Sequence, residues 1–333
     1  MPLLEVKNLS TSFFTEGGEV NALRDISFEL QKGKILGIVG ESGSGKSLTV
    51  YSILGLLPPG AKVVGGSVKF SGEELLGAEE SVMRRIRGNK ISIIFQDPMT
   101  SLNPTVTIGK QLTEAILIHT DMNRRDAGRR AEEILKTVNI GDPMRRMKQY
   151  PFELSGGMRQ RIMIAMALAT EPDILIADEP TTALDVTIQA SILDLMTSLQ
   201  KRLGMSVIMI THDLGVIAKT CDEVIVMYAG AIAERGTTGD IFYAPRHEYT
   251  KGLLRSVPSA ANSGRPLHSI RGNVIDITEL HAGCPFMPRC DEAMQICRVK
   301  NADELRLGEK HTVRCWMNQR EQYFSSKEEP YNE

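Results

Sequence analysis

The sequence predicts an α/β fold: a largely parallel sheet with an N-terminal antiparallel β layer, an inserted helical subdomain and a small cysteine-rich C-terminal extension. Three observations carry this expectation. Runs of Ile and Val with little polar alternation recur along the chain, with helical stretches between several of them, as parallel strands covered on both faces do. One such run, KILGIVG at 34–40, leads into the glycine-rich string GESGSGKS at 40–47 and then into a helix. Four of the five cysteines crowd into the last fifth of the chain, at Cys284, Cys290, Cys297 and Cys315.

The β-rich segments LLEVKNLSTSFF and VNALRDISFEL open the antiparallel layer. A helix is expected from about Lys46, closed by Pro58, Pro59 and Gly60, because proline cannot continue a helix. KISIIF at 90–95, DILIAD at 173–178, SVIMIT at 206–211 and EVIVMY at 223–228 read as buried strands, and 156–170 and 187–203 as helices. The charged stretch over about 97–154, including RRDAGRRAEEILKTV, reads as a helical subdomain inserted into the core. The composition changes at SVPSAANSGRP, a linker that divides a domain at 1–255 from an extension at 256–333. The tail QREQYFSSKEEPYNE is expected to be poorly ordered.

Composition narrows the function. The 333 residues carry 39 Lys and Arg against 41 Asp and Glu, a net charge of −2 with both signs scattered. Without a basic stripe, nucleic acid is not the implied partner. The start MPLLEVKNLS lacks a basic leader followed by a long apolar stretch, so no signal peptide is expected. The apolar run IMIAMALA falls short of the roughly 18–20 residues that span a bilayer. A cytosolic chain is expected, one that borrows membrane-spanning parts from other subunits if it works at a membrane.

The chemistry lies in four strings. GESGSGKS fits G-x-x-x-x-G-K-[ST] with a strand before and a helix after. Gly40, Gly43 and Gly45 let the backbone wrap phosphate, with the amides of Ser42, Ser44 and Leu48 in the same loop-to-helix passage. Lys46 sets a cation against the β- and γ-phosphates, and Ser47 offers a hydroxyl to Mg²⁺. In ILIADE at 174–179, Asp178 ends a buried strand within reach of the metal, and Glu179 can polarise an attacking water. LSGGMRQR at 154–161 is a helix start that Ser155 can cap, with Gly156 and Gly157 exposing backbone N–H groups. His212 follows the next strand.

With these strings in this order, the chain resembles the ATP-binding subunits of ABC transporters, phosphate-loop ATPases, over residues 1 to about 255. LSGGMRQR is similar to that family's signature motif. The resemblance implies that its helix tip faces the γ-phosphate held by a second ATPase chain, self or homologue, so that two chains sandwich two ATP molecules head to tail. It further implies that Gln96 contacts Mg²⁺ and the attacking water, that Asp185 in TTALDVT crosses the dimer interface, and that His212 contacts the γ-phosphate. Phe13 matches the aromatic that stacks on adenine, although Phe14 is adjacent. QDPMTSLNP at 96–104 and the stretch at 228–254 resemble the oligopeptide/dipeptide importer branch more narrowly. That branch implies two transmembrane permease subunits, an extracytoplasmic peptide-binding protein and a place at the cytoplasmic face of the membrane. A soluble ABC ATPase acting on nucleic acid is the competing class; a regulatory protein whose output is ATP binding is a third.

The cysteines stand at C-x5-C-x6-C-x17-C, without the paired short knuckles usual in structural zinc sites. Four thiolates on irregular loops, the first stiffened by Pro285 and Pro288, suit a [4Fe–4S] cluster. CPFMPRC also resembles the C-terminal extension of the importer branch. His281 and His311 keep a mixed Zn²⁺ site open, and ordinary cysteines or disulfides are the third alternative. Cys221 reads as a small buried residue.

Overall fold

The computed structural model describes residues 1–96, 101–181, 185–257, 269–280 and 282–319, except for the side chain of Val186. Two sheets organise them. The smaller is antiparallel, in the order β2 (Gly18–Leu30), β1 (Leu4–Thr15), β4 (Ala61–Phe70), β5 (Glu73–Glu74). The larger has a parallel centre, β9 (Glu223–Tyr228), β3 (Ile35–Val39), β8 (Ser206–Ile210), β7 (Ile174–Asp178) and β6 (Ile91–Ile94). β10 (Ala231–Thr237) and then β12 (Thr312–Val313) and β11 (Leu305–Arg306) continue it antiparallel beyond β9.

The parallel strands are apolar on both faces because both faces are covered. β3, β7 and β8 are buried at every position. One face packs on the antiparallel layer through Leu36, Ile38, Ile174, Ile176, Ile208 and Ile210, against Leu4, Leu9, Ile26 and Phe28. The other packs on helices through Val39, Leu175, Ala177, Val207 and Met209. Burial of this kind contributes roughly 25 cal/mol per Å² of apolar surface, so the sheet holds its strand ends firmly.

The helices cover that second face. Ile108–His119 and Arg124–Thr137 pack beside Gly156–Ala167, and Val186–Leu203 follows β7. The charged helix Arg124–Thr137 is capped by Asn123, whose side chain accepts the N–H of Asp126. The first helix, Lys46–Leu54, ends sooner than the proline pair suggests. Gly55 already takes a left-handed conformation at φ 62° and bonds back to Ser52, the usual glycine stop.

The described part of the extension beyond residue 257 is turns, three- and four-residue helical turns such as Ile296–Val299, and two-residue strands. It joins the larger sheet where β12 pairs with β10, Val313 opposite Glu234 and Thr312 opposite Arg235. Phe286 sits in the main core beside Tyr228 and Tyr249, with ring centroids 5.3 Å from each. Cys297, Ala302 and Trp316 form a small core of their own.

Candidate functional site

The strand ends of the larger sheet gather the polar residues, as open α/β sheets do. β3 stops at Val39 and the chain turns through Gly40, Gly43 and Gly45, at φ 154°, 78° and 99°. A Cβ on Gly40 would fall 2.3 Å from the Met227 carbonyl oxygen, so only glycine fits there. The Lys46 ammonium donates to the carbonyls of Gly40 and Glu41 at 2.8 and 2.9 Å. Burial holds its pKa below the usual lysine value, opposed by Glu179, Asp178 and Glu41. Ser42 and Gly43 are exposed, whereas the Ser44 hydroxyl is buried without a partner and its N–H donates to the Glu41 carbonyl. Leu48 is half-buried against the antiparallel layer.

Asp178 ends β7, buried at 1 % exposure. Ser47 Oγ donates to its Oδ1 at 2.9 Å, and Tyr51 Oη to its Oδ2 at 3.2 Å. Burial raises the Asp178 pKa above the carboxylate norm, and Tyr51 is pushed up to about 12 by burial and by Asp178. Tyr51 was not among the expected site residues. Its signal is spacing: it lies one helical turn beyond Ser47, on the same face.

Glu179 takes a left-handed backbone at φ 46°, with its N–H bonded to the Ile210 carbonyl of the neighbouring strand. Such a conformation costs energy in a non-glycine residue and turns the side chain off the strand's path. Gln96 Nε2 donates to Glu179 Oε2 at 2.9 Å, and His212 Nδ1 lies 3.2 Å from Oε1. Three expected residues from three strand ends therefore meet on one carboxylate, beside Lys46, Ser47 and Asp178. The oxygen-rich pair of Ser47 and Asp178, with the Gln96 amide nearby, fits a small hard cation such as Mg²⁺.

The signature string stands on a different part of the molecule, at the start of helix Gly156–Ala167. Ser155 occupies the N-cap position, but its side chain makes no capping hydrogen bond, contrary to the sequence expectation. The helix is instead braced by its arginines. Arg159 Nε donates to the Pro151 carbonyl, while Arg161 donates to the Val138 carbonyl and Ser191 Oγ. Ser155 and Gly156 are exposed; Gly157 is buried, and a Cβ there would come 2.9 Å from Ile188. Gly157 thus also serves close helix packing. Asp185 is exposed at the start of helix Val186–Leu203, without a side-chain cap.

Phe13 is half-buried, and Phe14 is exposed with the Lys62 ammonium 5.6 Å from its ring centre. A register shift between Thr11 and Ser12 breaks the strand's two-residue alternation, so period alone does not choose between the two rings.

The four C-terminal cysteines line one small cavity with Phe286, Met287, Trp316 and Met317. Burial pushes Cys284 up to about 11 and Cys290 to about 12, and raises Cys315. Among the described residues no three His, Cys, Asp or Glu side chains are grouped to hold a metal ion. His311 does not line that cavity; its Nε2 is 2.8 Å from the buried carboxylate of Glu234. His281 lies outside the described residues. Cys221 is buried, and burial pushes its thiol to about 12. Part of QDPMTSLNP, at 97–100, and residues 182–184 of TTALDVT also lie outside the description.

A phosphate loop, a buried aspartate bonded to Ser47, a carboxylate held by Gln and His, and a separate Ser-Gly-Gly helix tip are together the arrangement of an ABC-type ATPase. Comparison with known proteins agrees. Residues 23–182 match the family described as ABC transporter, and residues 233–297 match the oligopeptide/dipeptide transporter C-terminal region. The dipeptide transport ATP-binding protein DppD of Bacillus subtilis is 55 % identical, covering 95 % of this chain and 94 % of its own length. The oligopeptide transport ATP-binding protein OppD of Salmonella typhimurium is 50 % identical, over 89 % and 88 %. The dimeric post-hydrolysis structure of the ATP-binding cassette MJ0796, bound to ADP and Pi, matches with a TM-score of 0.64 and 28 % identity, over 71 % of this chain and 98 % of that one. This chain belongs to the ATP-binding proteins of the oligopeptide/dipeptide ABC transporters, and it is an ATPase. Among the described residues no helix is long and apolar enough to cross a membrane.

Proposed function

We propose that this chain is the ATP-hydrolysing subunit of an importer for di- or oligopeptides. It works at the cytoplasmic face of the membrane, paired head to tail with a second ATPase and coupled to two permease subunits that receive peptide from an extracytoplasmic binding protein. The observation that carries the reading is the meeting of Gln96, Glu179 and His212 beside Lys46, Ser47 and Asp178.

Lys46 exchanges its carbonyl partners for β- and γ-phosphate oxygens of ATP, and the Gly40–Leu48 passage supplies backbone amides. Ser47, Asp178 and Gln96 would hold Mg²⁺, which would offset phosphate charge. Glu179 orients the attacking water and takes up its proton, and its strained backbone keeps the carboxylate aimed between Gln96 and His212. His212 reads the γ-phosphate. Phe13 stacks on adenine. Ser155, Gly156 and Gly157 close over the ATP of the partner chain, and Asp185 crosses the interface. The ATPase domain is residues 1–255, with its helical subdomain at about 97–154, and the extension is 256–333.

The same reading gives Cys284, Cys290, Cys297 and Cys315 as ligands of a [4Fe–4S] cluster. What supports it is that all four thiols line one cavity, alongside His247, Glu248 and Glu292, and four thiols are the donor set such a cluster takes. Protein purified without oxygen then carries about four irons per chain and absorbs broadly in the visible. Colourless protein with one zinc contradicts this.

Transport is tested by affinity purification from solubilised membranes. Two permease subunits and a second ATPase should co-purify, and peptide-loaded binding protein should stimulate ATP turnover in the reconstituted assembly. Association with ribosomes or DNA in their place would dismiss the importer reading.

A further inference from the structure

The cysteine-rich extension reaches the phosphate loop through the side chain of Arg289. Arg289 lies between Cys284 and Cys290, at the end of the turn Met287–Arg289, yet its guanidinium is buried against Glu41, the residue that follows the first glycine of the loop. Nη1 donates to Glu41 Oε2 at 2.6 Å and Nη2 to Oε1 at 2.9 Å. Nε donates to the Arg271 carbonyl at 2.9 Å, and the cation lies 5.8 Å from the Tyr228 ring centre and 5.9 Å from that of Phe286. The Arg289 side chain is 4 % exposed and that of Glu41 28 %. The Glu41 backbone is fixed as well. Its N–H donates to Tyr249 Oη at 2.8 Å, and its carbonyl accepts from Lys46 and from the Ser44 N–H.

A carboxylate at this place is electrostatically adverse to a triphosphate, since like charges repel more strongly where burial lowers the effective dielectric. A bidentate, largely buried guanidinium removes that repulsion and fixes the carboxylate's direction. We propose that Arg289 is a positioning residue for the phosphate loop: it neutralises and holds Glu41, and so makes ATP affinity depend on the cysteine loop that carries it. The inference rests on the ATP-site reading above and deepens it.

The test is ATP binding to the purified full chain by titration calorimetry. Arg289→Gln should weaken binding about tenfold by leaving a lone carboxylate beside the loop. Glu41→Gln should tighten binding about threefold, and the double variant should return to within about threefold of wild type, because no unpaired charge remains. Arg289→Lys, which keeps the charge and loses the fork, should fall between wild type and Arg289→Gln. Wild-type affinity in Arg289→Gln, or a double variant as weak as that single one, overturns the proposal. Should Arg289→Gln not fold, the double variant and Arg289→Lys decide: a double variant more than about threefold weaker than wild type, or Arg289→Lys at wild-type affinity, overturns it. Cys290→Ser should weaken ATP binding in the native background and not in the Glu41→Gln background; equal losses in both overturn the coupling. Lys46→Ala separates the two levels, since retained ATP binding there sinks the ATP-site reading itself.

Discussion

The ATP site and the cysteine site are built in opposite ways. Asp178, Glu179 and His212 sit at or just beyond the ends of strands locked into one sheet and covered on both faces, and Lys46 opens the helix that follows β3. The cysteines sit on turns, on the four-residue helix Ile296–Val299 and beside two-residue strands. A few anchors fix them: the Arg289–Glu41 pair, the Trp316 indole on the Lys300 carbonyl, and Glu234, which takes the N–H groups of Arg246 and His247 and faces His311. The first site is positioned by many small packing terms. The second is joined through Phe286, the short β10–β12 pairing and these polar contacts, so each polar contact carries a larger share of the attachment.

Substitutions can break or sharpen that contrast. The largest effect falls on chemistry alone: Glu179→Gln should lower kcat about a thousandfold while ATP binding and melting temperature stay near wild type, measured by turnover and calorimetry. Near-normal turnover would remove Glu179 as the base. Glu234→Ala should instead strike stability, by about 3–5 kcal/mol, because it strands the buried His247 N–H, the part-buried Arg246 N–H and His311. Denaturant unfolding reads it, and a cost under about 1 kcal/mol would mean that the attachment is spread over many contacts.

His247 sharpens the same point through pH. Burial, with Lys251 adding to it, lowers its pKa from 6.5 to about 4. Between those values the unfolded chain binds a proton that the folded chain refuses, so stability rises with pH across this window. It is complete above about 6.5 and is lost as pH falls toward 4, by up to roughly 3 kcal/mol. His247→Gln should flatten that slope in urea titrations at pH 4 to 7. The smallest effect is at the metal: Tyr51→Phe removes one hydrogen bond to Asp178 and should weaken the Mg²⁺ dependence of turnover about tenfold. An unchanged Mg²⁺ profile would leave Tyr51 a packing residue.

Much of this was legible in the sequence because the information is local. The phosphate loop, the strand ending at Asp178 and the apolar strands declare themselves within a few residues. What was not legible depends on distant partners. β10 contains Glu234 and Arg235, which read as exposed charge until β12 pairs alongside and Arg246, His247 and His311 close on the glutamate. Tyr51 gains its role only when β7 brings Asp178 to it, and Arg289 meets Glu41 across 248 residues. Ser155 shows the converse: its residue type suits a cap, yet its side chain makes no capping hydrogen bond.

The central claim, that ATP is clamped between the phosphate loop of one chain and the Ser-Gly-Gly tip of another, is tested most directly by a structure of the Glu179→Gln variant with ATP and its partner ATPase. The account predicts Ser155 Oγ and the Gly157 N–H within hydrogen-bonding distance of a γ-phosphate bound by the partner's phosphate loop. A nucleotide-loaded pair with that tip in solvent, far from any phosphate, would contradict it.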